Sequence, residues 1–191
     1  MTGDYEEKQR ERELEITKAR RKKVFKRAAW IGAAVIILAG SGYVLVRYQE
    51  SLSGKMPGEI IPSQGQDHVP LGTSFSYNSN PPTSGPHNVN PAEWGIYKEE
   101  IADQILIHNL EHGGVWISYR QGIDEAVVKK LEDIAKAFGR KVIMAPRQAN
   151  DSDIALAAWT RLDKFSAAEF SEERVREFIR AYRNKGPEFV P

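Results

Sequence analysis

Two of the four histidines in this 191-residue chain lie four residues apart, at His108 and His112, with Glu111 between them. On a helix, residues four apart have Cβ atoms about 6 Å apart, so both imidazoles can reach one metal ion. On a strand the same spacing is roughly 13 Å, which is too far for shared binding. The chain contains no Cys, which excludes thiolate nucleophiles, disulfides and thiolate metal sites. A reactive or metal-binding centre must therefore consist of imidazoles and carboxylates.

The residues leading up to His112 have the spacing of a helix. Isoleucine and histidine side chains follow one another at intervals of four, three and four from Ile101 to His112, which places them in one stripe of a helical surface. Two glycines at 113–114 then provide a stop signal. We therefore predict a helix over 99–112 that presents both histidines on one side.

The other two histidines lie in predicted loops. One of them ends the segment 80–87, whose three prolines and one glycine exclude helix and central strand and make the chain stiff. Such loops can fold over a helix face, and three or four imidazoles suit copper or zinc. We therefore predict a copper or zinc site with two helix ligands, His108 and His112, a loop ligand, His87, and a fourth ligand or gate, His68.

Glu111 has three chemical interpretations: a metal ligand, a residue that orients a ligand, and a general base. In a metal site without turnover, its carboxylate would orient one imidazole through the second ring nitrogen of that imidazole. The segment from His108 to His112 also matches H-x-x-E-H, a zinc-hydrolase pattern with the Glu as base, but that pattern requires a distant Glu ligand and a larger fold. Ser84 and Ser118 lack a G-x-S-x-G context, so no other catalytic residue is predicted. A metal-free interaction module, in which the histidines brace the Pro-rich loop, is the remaining alternative.

An uncharged apolar run covers residues 28–46, close to the roughly 20 residues that cross a bilayer as a helix. Seven basic residues and no acidic ones lie at 18–27, so the positive-inside rule places the N-terminus in the cytoplasm. We predict a cytoplasmic basic segment at 1–27, a single transmembrane helix at 28–48, and an extracytoplasmic remainder at the cell membrane. A cleaved signal peptide is disfavoured because the run is too long, and a buried core helix because the run is apolar all round and flanked by dense charge.

Charge is divided unevenly along the chain. Residues 1–27 have ten Lys and Arg against six Asp and Glu, whereas the part beyond Tyr48 has 16 against 20. The outer part is mildly acidic and has no basic stripe for phosphates, so we expect no nucleic-acid partner. The expected partners are the lipid bilayer, whose anionic headgroups attract the basic segment, and another subunit of a membrane complex.

Composition divides the outer part into a stalk and a domain. Residues 49–66 are rich in Gly, Ser, Pro and polar side chains and are predicted as a stalk, followed by an extracytoplasmic domain over 67–191. After the helix at 99–112, periodicity predicts strands at 115–119, 141–145 and 154–160 and helices at 124–138 and 171–184. Helices packed on a short sheet give an α+β fold. Met144, in the second strand, offers a thioether for copper, although a Met within an apolar strand is more often part of the core.

Three motifs of the outer part resemble those of the domain of unknown function 3105 (DUF3105) family. They are Pro81-Pro-Thr-Ser-Gly-Pro-His87, the run from His108-Asn-Leu-Glu-His to Tyr119, and Ala157-Ala-Trp159. The resemblance covers residues 67–187 and implies an exported domain behind an N-terminal membrane helix. It also implies signature positions at His87, His108, Glu111 and His112, with His68 at an upstream family position. The family has no established activity, so the resemblance implies no reaction.

Taken together, the residues predict a membrane-anchored extracytoplasmic protein with a His-built metal site. It would handle copper or zinc, or act as an accessory subunit of a membrane complex. Binding without turnover is the favoured form of this prediction.

Overall fold

The computed structural model describes residues 18, 20–23, 25–26, 30–33, 35–47, 56–188 and 190. The chain divides into two compact units, Met1–Lys55 and Met56–Pro191.

Among the described residues of the first unit, one helix, α1 (Trp30–Arg47), is long and apolar enough to cross a membrane by length and composition. Its described side chains are exposed, unlike those of a helix in the core of a soluble protein. A signal sequence near the N-terminus can pass the same test of length and composition, so the membrane anchor and its orientation stay predictions. The predicted cytoplasmic segment at 1–27 lies mostly outside the described residues.

Within the described part of the second unit, six strands form one mixed sheet in the order β1-β6-β5-β3-β4-β2. The strands are β1 (Glu59–Ile60), β2 (Gly95–Ile96), β3 (Val115–Tyr119), β4 (Val142–Pro146), β5 (Ile154–Ala158) and β6 (Arg161–Phe165). The helices are α2 (Asp103–Glu111), α3 (Glu125–Phe138) and α4 (Glu172–Tyr182), with a short 3-10 turn at Ala167–Glu169. The mixture of helices and a mixed sheet confirms the predicted α+β class.

Strand β4 pairs in parallel with both β3 and β2, whereas β5 pairs antiparallel with β3 and β6, and β1 antiparallel with β6. Parallel neighbours need a crossover, and α3 supplies the one between β3 and β4. Asp124 begins that helix by accepting a 2.8 Å hydrogen bond from the amide of Ala126, and Gly139 ends it with φ +65°. Both caps confirm the boundaries predicted for this helix.

The sheet has two covered faces because side chains of a strand alternate between them. From β3, Val115, Ile117 and Tyr119 join a core with α3 and α4, which we call the two-helix face. Trp116, on the opposite side of the same strand, joins a second core with Leu106 and Leu110 of α2. We call this second side the loop face, since α2 shares it with the long segment 61–101.

Several elements differ from the sequence predictions. The helix predicted over 99–112 begins at Asp103 and ends at Glu111, with His112 as its C-cap. The strand predicted over 154–160 is shorter, because Trp159 and Thr160 form a two-residue turn into β6. Strands β1 and β2 have two residues each, which is too short to produce a periodic pattern. Strand β1 lies within the predicted stalk 49–66, so the paired part of the domain begins earlier than residue 67.

Candidate metal centre

Helix α2 separates its apolar and its chemical side chains. Leu106 and Leu110 are fully buried against the sheet. His108 and Glu111, on the remaining surface of the helix, are 5% and 4% exposed. The amide of His112 still donates to the carbonyl of His108 (3.1 Å), so the helical spacing of these two histidines persists through the C-cap. Their Nε2 atoms lie 2.9 Å apart, as the four-residue spacing on a helix predicts.

His68 and His87 are brought together by a short backbone bridge between two loops. The amide of His87 donates to Asp67 (2.9 Å), and the amide of Val69 donates to the carbonyl of His87 (2.8 Å). The ring of His68 stacks on the ring of His108 with centroids 5.1 Å apart. The same ring meets the edge of His87 at 4.9 Å. The loops therefore fold over the helix face, as the sequence predicted.

The Pro-rich segment holds His87 in a fully buried position. Gly85 has φ +112°, and a Cβ there would lie 3.2 Å from the ring of Tyr77, so glycine suits both the backbone and the space. The hydroxyl of Tyr77 donates to the carbonyl of Pro86 (2.6 Å). Burial raises the pKa of Tyr77 above its ordinary value, so this hydroxyl stays protonated and remains a donor.

Amide side chains of α2 replace missing backbone pairing in the loops. Gln104 donates through Nε2 to the carbonyl of Thr73 (2.9 Å) and accepts through Oε1 from the amide of Gly72 (2.8 Å). The side chain of Asn109 pairs with both backbone groups of Ala92: it accepts from the Ala92 amide (2.9 Å) and donates to the Ala92 carbonyl (2.8 Å). These contacts satisfy loop backbone that has no strand partner and fix the loops to the helix that carries His108.

A buried arginine fixes the beginning of α2 to the sheet. Arg147, just after β4, makes a two-fold contact with Asp103, with both N–O distances 2.8 Å. Its guanidinium also donates to the side chains of Asn80 and Asn150. Bidentate pairs of this kind fix geometry as well as charge. The ion pair therefore ties the first turn of α2 and the start of the Pro-rich segment to the same edge of the sheet.

The two most buried imidazoles have one nitrogen committed to backbone. His87 Nδ1 donates to the carbonyl of Gly85 and His108 Nδ1 to the carbonyl of Asn88, each at 2.8 Å. In the neutral ring, the proton on Nδ1 leaves Nε2 as a lone pair. Metal-binding histidines characteristically have this arrangement, since the outer hydrogen bond fixes the tautomer and aims the free nitrogen.

Two imidazole nitrogens, from His87 and His68, lie near one carboxylate oxygen of Glu111. His87 Nε2 lies 2.9 Å from Glu111 Oε2, and His68 Nε2 lies 3.7 Å from the same oxygen. The ligand atoms of His68, His87, His108 and Glu111 all lie within 4.8 Å of one another. A lone pair and a carboxylate oxygen at hydrogen-bond distance require a cation between them, which is a proton or a metal ion. This group is called the inner group below.

A second, overlapping group extends the cluster to the surface. His112 Nε2 lies 2.9 Å from His108 Nε2 and 2.9 Å from Glu188 Oε2. The ligand atoms of His108, Glu111, His112 and Glu188 again lie within 4.8 Å of one another. A single proton on His112 Nε2 cannot satisfy both of its neighbours, so this group also has more acceptors than protons. It is called the outer group below.

The segment after α4 places Glu188. The amide of Asn184 donates to Gly113 (2.8 Å) and the amide of Glu188 donates to the carbonyl of Glu111 (3.1 Å). At Gly186, a Cβ would lie 2.0 Å from the carbonyl oxygen of Glu111, so only glycine permits this close approach. Sequence reasoning missed Glu188, because Gly186 and the proline after it indicated only the end of a helix.

Burial lowers the pKa of His108 below its ordinary value, and the neighbouring His112 and His87 lower it further, against an opposing contribution from the Asn88 carbonyl. The neutral imidazole is therefore favoured at His108. Neutral imidazole is also the form that binds metal, so the environment of this residue prepares it for that role.

The four predicted histidines and Glu111 thus lie in one cluster. Glu111, which the sequence predicts to orient one imidazole, lies 2.9 Å from Nε2 of His87, while the carbonyls of Gly85 and Asn88 accept from the Nδ1 atoms of His87 and His108. Met144 is fully buried in the two-helix core, on the other side of the sheet from α2. The hydroxyl of Ser118 pairs with Asn150 (2.8 Å), which gives this serine a structural partner.

Comparisons with curated proteins and with solved structures gave no match. A protein family described as "Protein of unknown function (DUF3105)" matches residues 68–190. The matched region contains all four histidines, Glu111, Glu188 and every helix and strand of the second unit except β1. The chain therefore belongs to the DUF3105 family.

Proposed function

We propose that this protein is anchored in the cell membrane by α1 and binds one divalent transition metal ion, zinc or copper, in its extracytoplasmic domain. The observation that carries the proposal is a pair of buried imidazoles whose Nδ1 atoms donate to backbone carbonyls. Their Nε2 atoms face other ligand atoms, that of His87 at 2.9 Å from Glu111 Oε2 and that of His108 at 2.9 Å from His112 Nε2. This pair needs a cation, and the protein surrounds it with further ligand atoms rather than with donors.

Three imidazole nitrogens and one carboxylate oxygen form the inner ligand set: His68, His87, His108 and Glu111. Four such ligands match the tetrahedral preference of Zn²⁺, and imidazole and carboxylate also suit Cu²⁺. Cu⁺ prefers soft sulfur ligands. The described methionines, Met56 and Met144, belong to the two-helix core on the opposite face, so the ligand set favours the divalent ions.

Storage or transfer of the ion suits this site better than hydrolysis. A catalytic zinc keeps a coordination position open for water, with the base held beside it. Glu111 Oε2 lies 2.9 Å from His87 Nε2 and 3.7 Å from His68 Nε2, close enough to serve as a fourth ligand beside the three imidazoles. A role in metal handling, alone or beside another subunit of a membrane complex, follows from a ligand set without an open position.

Metal content of the full chain, purified in detergent, tests the proposal. The variant His87→Asn/His108→Asn keeps an amide near each Nδ1, able to donate to the Gly85 and Asn88 carbonyls, and removes both Nε2 ligands. We expect about one Zn²⁺ or Cu²⁺ per wild-type chain and none in this variant. The control is Ile154→Val, a small core truncation on the two-helix face that costs about 0.5–1.5 kcal/mol and leaves the cluster intact.

Three outcomes separate the alternatives. A wild-type chain that binds neither ion after reconstitution, while the histidine variant merely loses stability, would leave a metal-free interaction module. Metal-dependent hydrolysis that Glu111→Gln abolishes without loss of the ion would establish the hydrolase instead. Loss of metal in the Ile154→Val control would mean that general stability, rather than the ligands, governs metal content.

A further inference from the structure

The cluster offers a continuous series of ligand atoms from a buried end to an exposed one. Side-chain exposure rises from 0% at His87 and 6% at Glu111 to 15% at His112 and 53% at Glu188. Neighbouring ligand atoms along the part from His108 through His112 to Glu188 are 2.9 Å apart. The inner and outer groups share His108 and Glu111. An ion moving between them would therefore keep two of its ligands.

His108 prevents both groups from being filled in full at once. Its Nδ1 is committed to the carbonyl of Asn88, so one nitrogen, Nε2, is free to bind an ion. A neutral imidazole with a single free lone pair binds one ion at a time. The two groups are therefore alternative positions for one ion, rather than the two halves of a two-metal centre.

We infer that His112 and Glu188 form a transient outer position, through which a divalent metal ion reaches and leaves the inner group. This inference rests on the proposed function and adds a route to the same site. The ion is captured by His112 and Glu188, and then exchanges them for His87 and His68. His108 and Glu111 remain bound throughout the step, so the ion need not regain a full shell of water.

The segment that carries Glu188 is fixed for this role. The close contact of Gly186 with Glu111 and Gly113 holds the segment against the end of α2, with its carboxylate over His112. An exposed carboxylate at the mouth of a site raises the local concentration of cations and their rate of association. His68, with 45% side-chain exposure, offers a second access to the inner group, so loss of the outer position slows exchange without abolishing it.

Exchange kinetics of the full chain in detergent test the inference. Trp159 lies 6.4 Å from the ring of His87, so binding of Cu²⁺ at the inner group is followed by quenching of tryptophan fluorescence. Dissociation is followed after addition of a chelator. In Glu188→Gln we expect the association and dissociation rate constants to fall together, by about tenfold or more. A position on the route that is not part of the final site changes both rates in the same direction. His112→Asn should give the same pattern.

The matched control is Asp133→Asn, which removes one exposed carboxylate from α3 on the other face and should leave both rates unchanged. A rise in dissociation alone would make Glu188 an ordinary ligand of a single site and overturn the route. Two ions bound per wild-type chain would overturn the argument that the inner and outer groups are alternative positions for one ion. Unchanged rates in Glu188→Gln would mean that the ion does not pass through the outer position. Absence of any binding by the wild type would instead refute the proposed function itself.

Discussion

The two faces of the sheet are built by different means. The two-helix face consists of regular helices whose apolar side chains meet a buried strand surface. In the described part of the second unit, the loop face has one short helix, and much of its remaining cover consists of loops fixed by single side chains such as Gln104 and Asn109. The histidine cluster occurs on the loop face. The comparison indicates that apolar packing on one side of the sheet supplies stability. The other side holds imidazoles and carboxylates close together, and their charges and protons must be accommodated in the folded protein.

This division has a physical origin. A regular helix satisfies its own backbone and presents only its apolar stripe to the sheet. A loop leaves amides and carbonyls unpaired, and these can be turned toward imidazole nitrogens, as the carbonyls of Gly85 and Asn88 are. A site that needs imidazoles held by backbone oxygens is therefore more readily built where the chain is irregular.

The largest expected effect on stability is on the two-helix face. Phe178 of α4 is fully buried there, and Phe178→Ala should lower the free energy of unfolding by about 3–5 kcal/mol. Urea unfolding of the full chain in detergent, followed by fluorescence, measures the change. Phe178→Leu is the control, because it removes less side-chain volume and should cost less stability. Metal content per folded molecule should be unchanged. A selective loss of metal would contradict the separation of the two faces.

A smaller effect is expected where the loop face meets the segment after α4. In Gly186→Ala, the new Cβ would collide with backbone atoms of Glu111 and Gly113, so the segment must move away. Loss of its two hydrogen bonds to these residues should cost about 1–3 kcal/mol. The variant should also show the slow metal exchange predicted for Glu188→Gln. Wild-type exchange rates together with the stability loss would mean that the route of the ion does not depend on where the segment holds Glu188.

Lowering the pH should reduce the stability of the folded protein through His108, which lies on the loop face. Its pKa is lowered by burial in the folded protein, whereas in the unfolded chain it returns to about 6.5. Below that pH the unfolded chain binds a proton that the folded protein resists, so stability falls as the pH drops from 7 towards 5. His108→Asn removes this contribution, and the metal-free variant should lose less stability over the same range. An equal loss of stability between pH 7 and pH 5 in the wild type and in the variant would contradict the prediction.

The smallest effect is expected at the solvent side of the two-helix face. Asp133 pairs with Lys129 at 3.6 Å on the exposed surface of α3. Asp133→Asn should change the free energy of unfolding by less than about 0.5 kcal/mol, because water and salt screen such pairs. The same urea titration checks it. A larger loss would mean that surface charge, and not only apolar packing, stabilises this face.

The regular elements were predictable because their patterns are local. The stripe of α3 and its two caps, Asp124 and Gly139, required only neighbouring residues. The buried strands β3, β4 and β5 were recognised as short apolar runs, with the bounds of β3 correct and those of β4 and β5 off by one or two residues. Strand β6 was missed, since its charged side chains hide the two buried ones, Leu162 and Phe165. Strands β1 and β2 exist only through their pairing with distant strands, which no local window contains.

The sequence by itself determined which residues can bind a metal and which chemistry is excluded, because residue types and a four-residue helical spacing are local properties. It also determined that His108 and His112 share a helix face. The sequence offered His68 and His87 as loop ligands, and the tertiary structure decided how they reach that face. The tertiary structure alone decided that Glu188 joins the cluster from a segment 76 residues after His112. It alone decided that two backbone carbonyls accept from the Nδ1 atoms of His87 and His108. These features depend on contacts between distant segments, and such contacts leave no mark in the spacing of residues along the chain.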